Sequence, residues 1–359
     1  MTRRSLLFAL AAVVTATQAS SLLAVDTVTR KSDGKKLGGT ITEMSRNEFK
    51  VKRAVGESEV IQANDVTSVD WDGATGDLRL GASDENGGKY DLAIQKYTKS
   101  KADTKSPSES LKAEFDYVIA RATARLALTD PVRQGEAIQR LQAVQKSSPD
   151  HFRYYESVGL LGQVQLVKGD YDAARTTFAL LAKAPWSDFK LAARIASGRI
   201  LTAENKLDEA AKEFEAAAAG ASDSAADQVR KYEAMLGQAR ALVMQSKYED
   251  ALKILDVVTD KGPAEESALQ AEAYVLQGDS LQALGRAKEA ALAYLHVDIL
   301  FSRESAYHAA ALFNLVKVWK LVQLPDRSAE AEAKLIQNYP NSSWRKKLAT
   351  TPETTTPEK

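Results

Sequence analysis

The residue types that most often carry catalysis or bind metals are sparse in this chain. It has three histidines, His151, His296 and His308, and no cysteine. No two of the histidines lie at a spacing typical of shared metal ligands. The sequence also lacks Gly-x-Ser-x-Gly, His-Glu-x-x-His and phosphate-loop signatures. We therefore predict a protein that is not an enzyme and that has no metal site and no cofactor.

A set of polar and charged residues is better suited to binding another protein. Its members carry both signs of charge and alternate with apolar positions: Gln163, Arg199, Glu233, Arg240, Asp279 and Gln282. Such a mixture can hold an extended peptide or a helix through a few charged contacts between apolar patches. The solvated face of an amphipathic helix has the same composition, so the pattern alone does not separate the two interpretations. If the set binds a partner, reversing Arg199 and Arg240 to glutamate should weaken binding without unfolding the chain.

The positions of these residues depend on a repeated segment. In residues 161–181 a small residue lies seven positions before Gly169, and apolar residues follow two, five, nine and twelve positions after it. The same spacing returns around Asn205, Ser246 and Gly285, which by subtraction are 36, 41 and 39 residues apart. The small residues before the turns are Gly162, Gly198, Ala239 and Gly278, and the alanines five positions after them are Ala174, Ala210, Ala251 and Ala290. The spacing predicts a helix, a tight turn and a second helix in each copy.

These residues resemble the tetratricopeptide repeat (TPR), a helical hairpin of about 34 residues. The resemblance implies that the small residue lies where the two helices cross. It also implies that the hairpins stack into a superhelix whose first helices line a concave groove. Some members of the family clamp a C-terminal carboxylate with a lysine, asparagine and arginine set. Gly159, Gln163 and Ile195 stand at the matching positions here, so that clamp is absent.

Residues 25–75 have a different pattern, with five short β-prone runs separated by turn signals. They predict a small five-stranded β-barrel-like domain, similar to SH3-like or Sm-like barrels, that docks on or caps the helical array. Residues 25–72 contain 8 basic and 9 acidic residues, a balance that does not favour nucleic-acid binding. The whole chain has 48 Lys plus Arg residues and 48 Asp plus Glu residues, and this even balance does not favour nucleic-acid binding either.

The predicted fold class is therefore mainly α, a TPR-like α-solenoid preceded by the small β-domain. We assign residues 79–346 to the helical repeats. Residues 347–359 end in a Thr/Pro/Glu-rich sequence and are predicted to form a disordered tail.

The first 24 residues have the features of an export signal. Arg3 and Arg4 precede an apolar run from Leu6 to Val14, and small residues follow. Cleavage after Ala19 and after Ala24 both fit the pattern. The start also resembles a twin-arginine signal. We predict a periplasmic or extracellular protein with no integral membrane span once the signal is removed, because the apolar run is too short to cross a bilayer.

Two functions fit these observations best, and a third is a spacer that only holds other components apart. The leading interpretation is a non-enzymatic scaffold or adaptor of the cell envelope, which binds a peptide or helix of a partner protein in the concave groove. The alternative is a periplasmic module that binds glycan, peptide or lipid with the β-domain and the first repeats. The sequence does not identify the partner.

Overall fold

The computed structural model describes residues 25–53 and 56–350. The predicted export signal and most of the predicted tail lie outside the described residues, so the structure leaves both as predictions.

The N-terminal part is an antiparallel sheet with five strands, as predicted. Its strands are β1 (Asp26–Arg30), β2 (Lys36–Met44), β3 (Glu48–Lys52), β4 (Glu59–Gln62) and β5 (Val66–Asp70). Their order in the sheet is β4-β3-β2-β1-β5. The sheet is not closed, because β4 and β5 lie at its opposite edges and are joined by the single 3-10 turn Ala63–Asp65.

One face of this sheet is covered by the helical part of the chain. Val28 and Phe49 are fully buried and share a core with Leu111, Phe115 and Phe152. The rings of Phe49 and Phe152 meet edge to face at 4.6 Å between centroids. A five-stranded sheet of this size buries little apolar surface by itself, so these helix-side residues complete its core.

The remainder of the described chain is helical. The helices are α1 (Gly76–Asn86), α2 (Tyr90–Asp103), α3 (Glu109–Ala127), α4 (Gln134–Ser147), α5 (Tyr154–Lys168), α6 (Tyr171–Leu181), α7 (Ser187–Ala203), α8 (Leu207–Ala219), α9 (Ala225–Met244), α10 (Tyr248–Lys261), α11 (Ser267–Ala283), α12 (Ala287–Leu300), α13 (Ser305–Leu321), α14 (Pro325–Asn338) and α15 (Ser343–Thr350). From α1 to α14 they pack as consecutive hairpins, and each hairpin packs against the next. The predicted α-solenoid is confirmed.

The two ends of the helical array differ from the predicted bounds. The array begins at Gly76, and α15 continues through residues 347–350 of the predicted tail. The C-terminal extension has a packing reason, because Trp344 and Leu348 lie against the last hairpin. The ring of Trp344 is 5.2 Å from that of Phe313.

Six of the seven hairpins in the described chain have one turn residue in the left-handed backbone region, and the α3–α4 hairpin is the exception. The predicted turn residues have φ of +89° at Gly169, +60° at Asn205, +59° at Ser246 and +75° at Gly285. A residue in this region reverses the chain at the end of a helix, so that the backbone amides that follow donate hydrogen bonds to the last carbonyl groups of the helix. Two further hairpins turn in the same way, at Gly88 with φ +72° and at Gln323 with φ +60°.

The small residues before the turns lie where the two helices of a hairpin cross. A Cβ atom on Gly162 would be 2.6 Å from two ring atoms of Phe178, and one on Gly198 would be 2.7 Å from Phe214. Gly278 lies in the same way against Tyr294. Ala239, the small residue of the third copy, is fully buried. So are the alanines of the second helices, five positions after the turns: Ala174, Ala210, Ala251 and Ala290.

We expect Gly162→Ala to lower the free energy of unfolding by about 1–3 kcal/mol, because the new methyl group overpacks against Phe178. Gly159→Ala is the matched control on the same helix. A Cβ atom at Gly159 has a single neighbour within 4 Å, Leu181 Cδ2 at 3.8 Å. Alanine also favours the helix over glycine, so this control should be neutral or stabilising by up to about 1 kcal/mol. Equal urea stability of the two variants would contradict the proposed packing of the crossing.

A polar bridge closes the C-terminal end of the array. The Nε2 atom of His308 on α13 lies 2.9 Å from Asp298 Oδ1 on α12. Its Nδ1 atom lies 2.7 Å from the hydroxyl of Tyr339. Lys334 Nζ on α14 donates to the other oxygen of Asp298 at 2.8 Å. The hydrogen bond with His308 and the hydrogen bond and charge of Lys334 lower the pKa of Asp298. Burial acts in the opposite direction but is the smaller effect.

This bridge should make stability depend on pH. A carboxyl whose pKa is lower in the folded chain stabilises it above the unfolded value of 3.8, and this stabilisation is lost as the pH falls through the folded value. Asp298→Asn should therefore lower the melting temperature more at about pH 7 than at about pH 3. Asp172→Asn, which changes a fully exposed carboxylate, serves as the control. A difference from the parent that stays constant across this pH range would contradict the prediction.

Candidate functional site

The first helices of successive hairpins form one continuous layer. Each of α3, α5, α7, α9, α11 and α13 contacts the next member of this series as well as its own partner helix. Side chains that point away from the partner helix therefore line a shared groove. Two cavities lie along it.

The α3–α9 cavity has a volume of about 220 Å³ and is lined by side chains of α3, α5, α6, α7 and α9. Its apolar lining residues include Leu160, Leu166, Phe189, Ala192 and Ile195. Its charged lining residues are Arg121, Arg125, Glu156, Arg199, Arg230 and Glu233. An apolar surface with a few convergent polar groups is typical of a binding site.

The α7–α13 cavity continues the groove and has a volume of about 740 Å³. It shares Arg199 and Glu233 with the first cavity. Arg240 on α9 forms an ion pair with Glu272 on α11. The hydroxyl of Tyr307 on α13 donates to the other oxygen of Glu272 at 2.7 Å. These bonds connect three repeats across the floor of the groove.

The structure brings four of the six predicted groove residues to these cavities. Gln163, Arg199 and Glu233 line the α3–α9 cavity, and Arg240 lines the α7–α13 cavity. Asp279 and Gln282 instead both face Tyr294. Asp279 accepts a hydrogen bond from its hydroxyl at 2.7 Å, and Gln282 Oε1 lies 3.3 Å from the same hydroxyl oxygen.

Asp279 is thus held inside its own repeat. It also accepts a hydrogen bond from Asn314 Nδ2 of the next first helix at 3.1 Å. Burial raises the pKa of Asp279, although the hydrogen bond from Tyr294 acts in the opposite direction. The side chain anchors the α11–α12 hairpin to α13 and lies outside both cavities.

The three histidines have internal contacts. His151 Nε2 lies 3.2 Å from Glu114 Oε2, and the ring of His296 stacks on that of Tyr274 with centroids 4.6 Å apart. His308 belongs to the C-terminal bridge described above. In the part of the chain that the structure describes, no group of three or more His, Asp or Glu side chains could hold a metal ion.

Comparison with known proteins agrees with this geometry. The family model described as tetratricopeptide repeat matches residues 160–226, 198–266 and 236–300. Residues 160–300 contain tetratricopeptide repeats. The matched region runs from α5 to α12, and the TPR-like hairpins continue on both sides of it.

Solved structures show the same fold. A Rap protein in complex with competence and sporulation factor has a TM-score of 0.52 and 16% identity, over 76% of this chain and 74% of its own. The apo form of RapI has a TM-score of 0.50 and 12% identity, over 76% and 79% of the two chains. No curated protein sequence matches the chain.

A buried polar cluster at the start of the TPR array was not predicted from the sequence. Glu85 on α1 is 2% exposed and accepts two hydrogen bonds from Arg121 on α3, at 2.8 and 2.7 Å. Arg125 lies 2.9 Å from the same carboxylate, and the hydroxyl of Tyr97 donates to it at 2.6 Å. No sequence pattern indicates this cluster, because its members lie on three helices that only the fold brings together.

Arg153 connects the TPR array to the sheet. It is 8% exposed and donates to the carbonyl oxygens of Val66 at 3.2 Å and Thr67 at 2.7 Å, in edge strand β5. It also donates to Glu156 at 2.5 Å, and the hydroxyl of Tyr117 donates to the second oxygen of that carboxylate at 2.8 Å. Burial opposes ionisation of Glu156, but the charge of Arg153 and these hydrogen bonds outweigh it and lower its pKa. The sheet is therefore fixed next to the α3–α9 cavity.

Proposed function

We propose that this protein is a non-enzymatic scaffold or adaptor of the cell envelope that binds a segment of a partner protein in the groove of its TPR array. The observation that carries the proposal is the α3–α9 cavity, where apolar side chains surround a small number of polar groups. This composition provides both buried contact area and orientation for a bound segment.

Two further points support the proposal. The Rap protein, which has a similar fold, has been crystallised with competence and sporulation factor. The N-terminal sequence has the features of an export signal, which supports an envelope location. In the described residues, no helix is long and apolar enough to span a membrane.

The proposal predicts that filling the α3–α9 cavity prevents binding. Ala192 lines this cavity, and Ala192→Trp would occupy much of its volume. Ala173→Trp is the matched control, because Ala173 is exposed on the second helix α6 and lines neither cavity of the groove. The purified chain and both variants are used for affinity capture from an envelope extract of the source organism.

We expect the parent and Ala173→Trp to recover the same protein in a fixed stoichiometry, and Ala192→Trp to recover at least about tenfold less of it. Circular dichroism melts would check that both variants remain folded. Equal recovery by the two tryptophan variants, or no protein recovered by the parent, would contradict the proposed groove function.

A second candidate function is favoured by a cavity of about 590 Å³ between β5 and helices α1–α3. Its lining includes Trp71, Arg79, Arg125 and Asp70, a mixture compatible with a small polar ligand. In this function, the sheet and the first repeats would bind a glycan, peptide or lipid. Sedimentation of the purified chain with cell-wall fragments free of protein would support it, and its absence from the pellet would count against it.

A further inference from the structure

We propose that the bound partner segment is extended and carries an acidic side chain that pairs with Arg199, with apolar side chains next to it. This inference rests on the proposed groove function and specifies the chemistry of the partner. Arg199 is exposed on α7 and is the charged residue nearest the middle of the groove, since it lines both cavities together with Glu233.

Arg199 differs from the other charged residues of the α3–α9 cavity. Arg121 and Arg125 are bound to Glu85, Glu156 is bound by Arg153, and Arg230 donates to Glu233 at 2.8 Å. Within residues 25–53 and 56–350, the guanidinium of Arg199 has no hydrogen-bond or ion-pair partner. The carboxylates of the α3–α9 cavity, Glu156 and Glu233, are therefore already paired, and Arg199 is left to bind a carboxylate from outside.

The neighbouring groups indicate the form of the segment. Gln163 on α5 lines the same cavity, and in the described chain its amide has no hydrogen-bond partner. A free amide can both donate and accept, which matches an exposed peptide group of an extended chain. A helix satisfies its own main-chain groups and would offer Gln163 only side chains. Leu160, Leu166 and Ile195 provide apolar contacts beside these two polar groups.

The charge also limits the class of partner. Arg121 and Arg125 share Glu85, and Arg230 pairs with Glu233, so Arg199 is the guanidinium of this cavity that has no carboxylate partner in the described chain. A single such group fits one carboxylate of an aspartate or glutamate side chain. Nucleic acid would require several basic groups aligned along a phosphate backbone. A C-terminal carboxylate is a separate source of the same group, and the experiment distinguishes it from a side chain.

The test is selection of random peptides of about seven residues, which span about 23 Å when extended. In one library both ends are joined to the carrier, so that no terminal carboxylate is present, and in a second library the same peptides have free C-termini. The baits are the full chain, Arg199→Glu and the control Lys190→Glu. Lys190 is an exposed cation on α7 that lines a different cavity, between the outer faces of α6 and α7.

We expect the parent and Lys190→Glu to select peptides with Asp or Glu at one fixed position beside apolar residues. Arg199→Glu should select Lys or Arg at that position. It should also bind the acidic peptides at least about tenfold more weakly, the effect of losing one charge-assisted hydrogen bond.

Four results would overturn the inference. Selection of peptides without an acidic position, or the same acidic preference on Arg199→Glu, would overturn it while the groove function stands. Selection only from a library with free C-termini would assign the carboxylate to the chain end instead. Failure of the parent to select any peptide from either library would contradict the proposed groove function as well.

Discussion

Replacement of Arg153 by methionine is expected to lower the free energy of unfolding by about 3–5 kcal/mol. The substitution keeps much of the side-chain volume but removes the charge that pairs with Glu156. It also leaves the carbonyl oxygens of Val66 and Thr67 without their donor. Removing one member of a buried ion pair leaves the other charge uncompensated, which is why the effect should be large.

This change should also loosen the sheet from the TPR array. Limited proteolysis should then cut between β5 and α1 in the variant faster than in the parent. Arg46→Met is the control, because Arg46 forms an exposed pair with Asp150 at 3.6 Å across the same junction. Exposed pairs contribute about 1 kcal/mol or less. Urea denaturation measures both variants, and equal stabilities would show that Arg153 does not hold the junction.

The second large effect is expected for Phe214→Ala, which should also cost about 3–5 kcal/mol. Phe214 on α8 is 1% exposed and lies between two glycines. A Cβ atom on Gly198 of α7 would be 2.7 Å from the ring, and one on Gly237 of α9 would be 2.5 Å from it. The ring therefore joins its own hairpin to the following one, and its removal leaves a cavity at a contact between repeats.

Leu292→Ala is the control for this prediction. Leu292 is also on a second helix, α12, but is 58% exposed. Truncation of an exposed side chain should change stability by about 0.5 kcal/mol or less. Thermal and urea unfolding of both variants would test the difference. A Phe214→Ala variant as stable as Leu292→Ala would mean that the stacking between these repeats does not depend on the ring.

Local spacing in the sequence was sufficient to predict the hairpins. A turn residue seven positions after a small residue fixes both the left-handed turn and the helix crossing, because both features depend on residues close in sequence. The positions of Gly169 and Gly162 illustrate this. The five strands followed in the same way from short alternating runs between turn signals.

Contacts between repeats could not be predicted by the same means. Asp279 and Gln282 were expected in the groove, but they bind Tyr294 of their own hairpin. Whether these two side chains point into the groove or towards their own hairpin depends on how the first helix is rotated about its axis when it packs against the next repeat. Arg153 follows α4 in a connecting segment, and only the packed structure brings it to β5. Arg199 likewise has no partner in the described chain because the carboxylates near it in the fold pair with other residues, and the sequence does not show which residues are near it.

The central claim is that the first-helix groove is the surface that binds the partner. The most direct measurement is photo-cross-linking of the partner recovered by affinity capture, with a photoreactive residue placed at Gln163 or at Ala173. Gln163 lines the α3–α9 cavity, whereas Ala173 lies on α6 outside the groove. We predict a cross-linked complex from position 163 and none from position 173. A cross-link from position 173 alone would contradict the account.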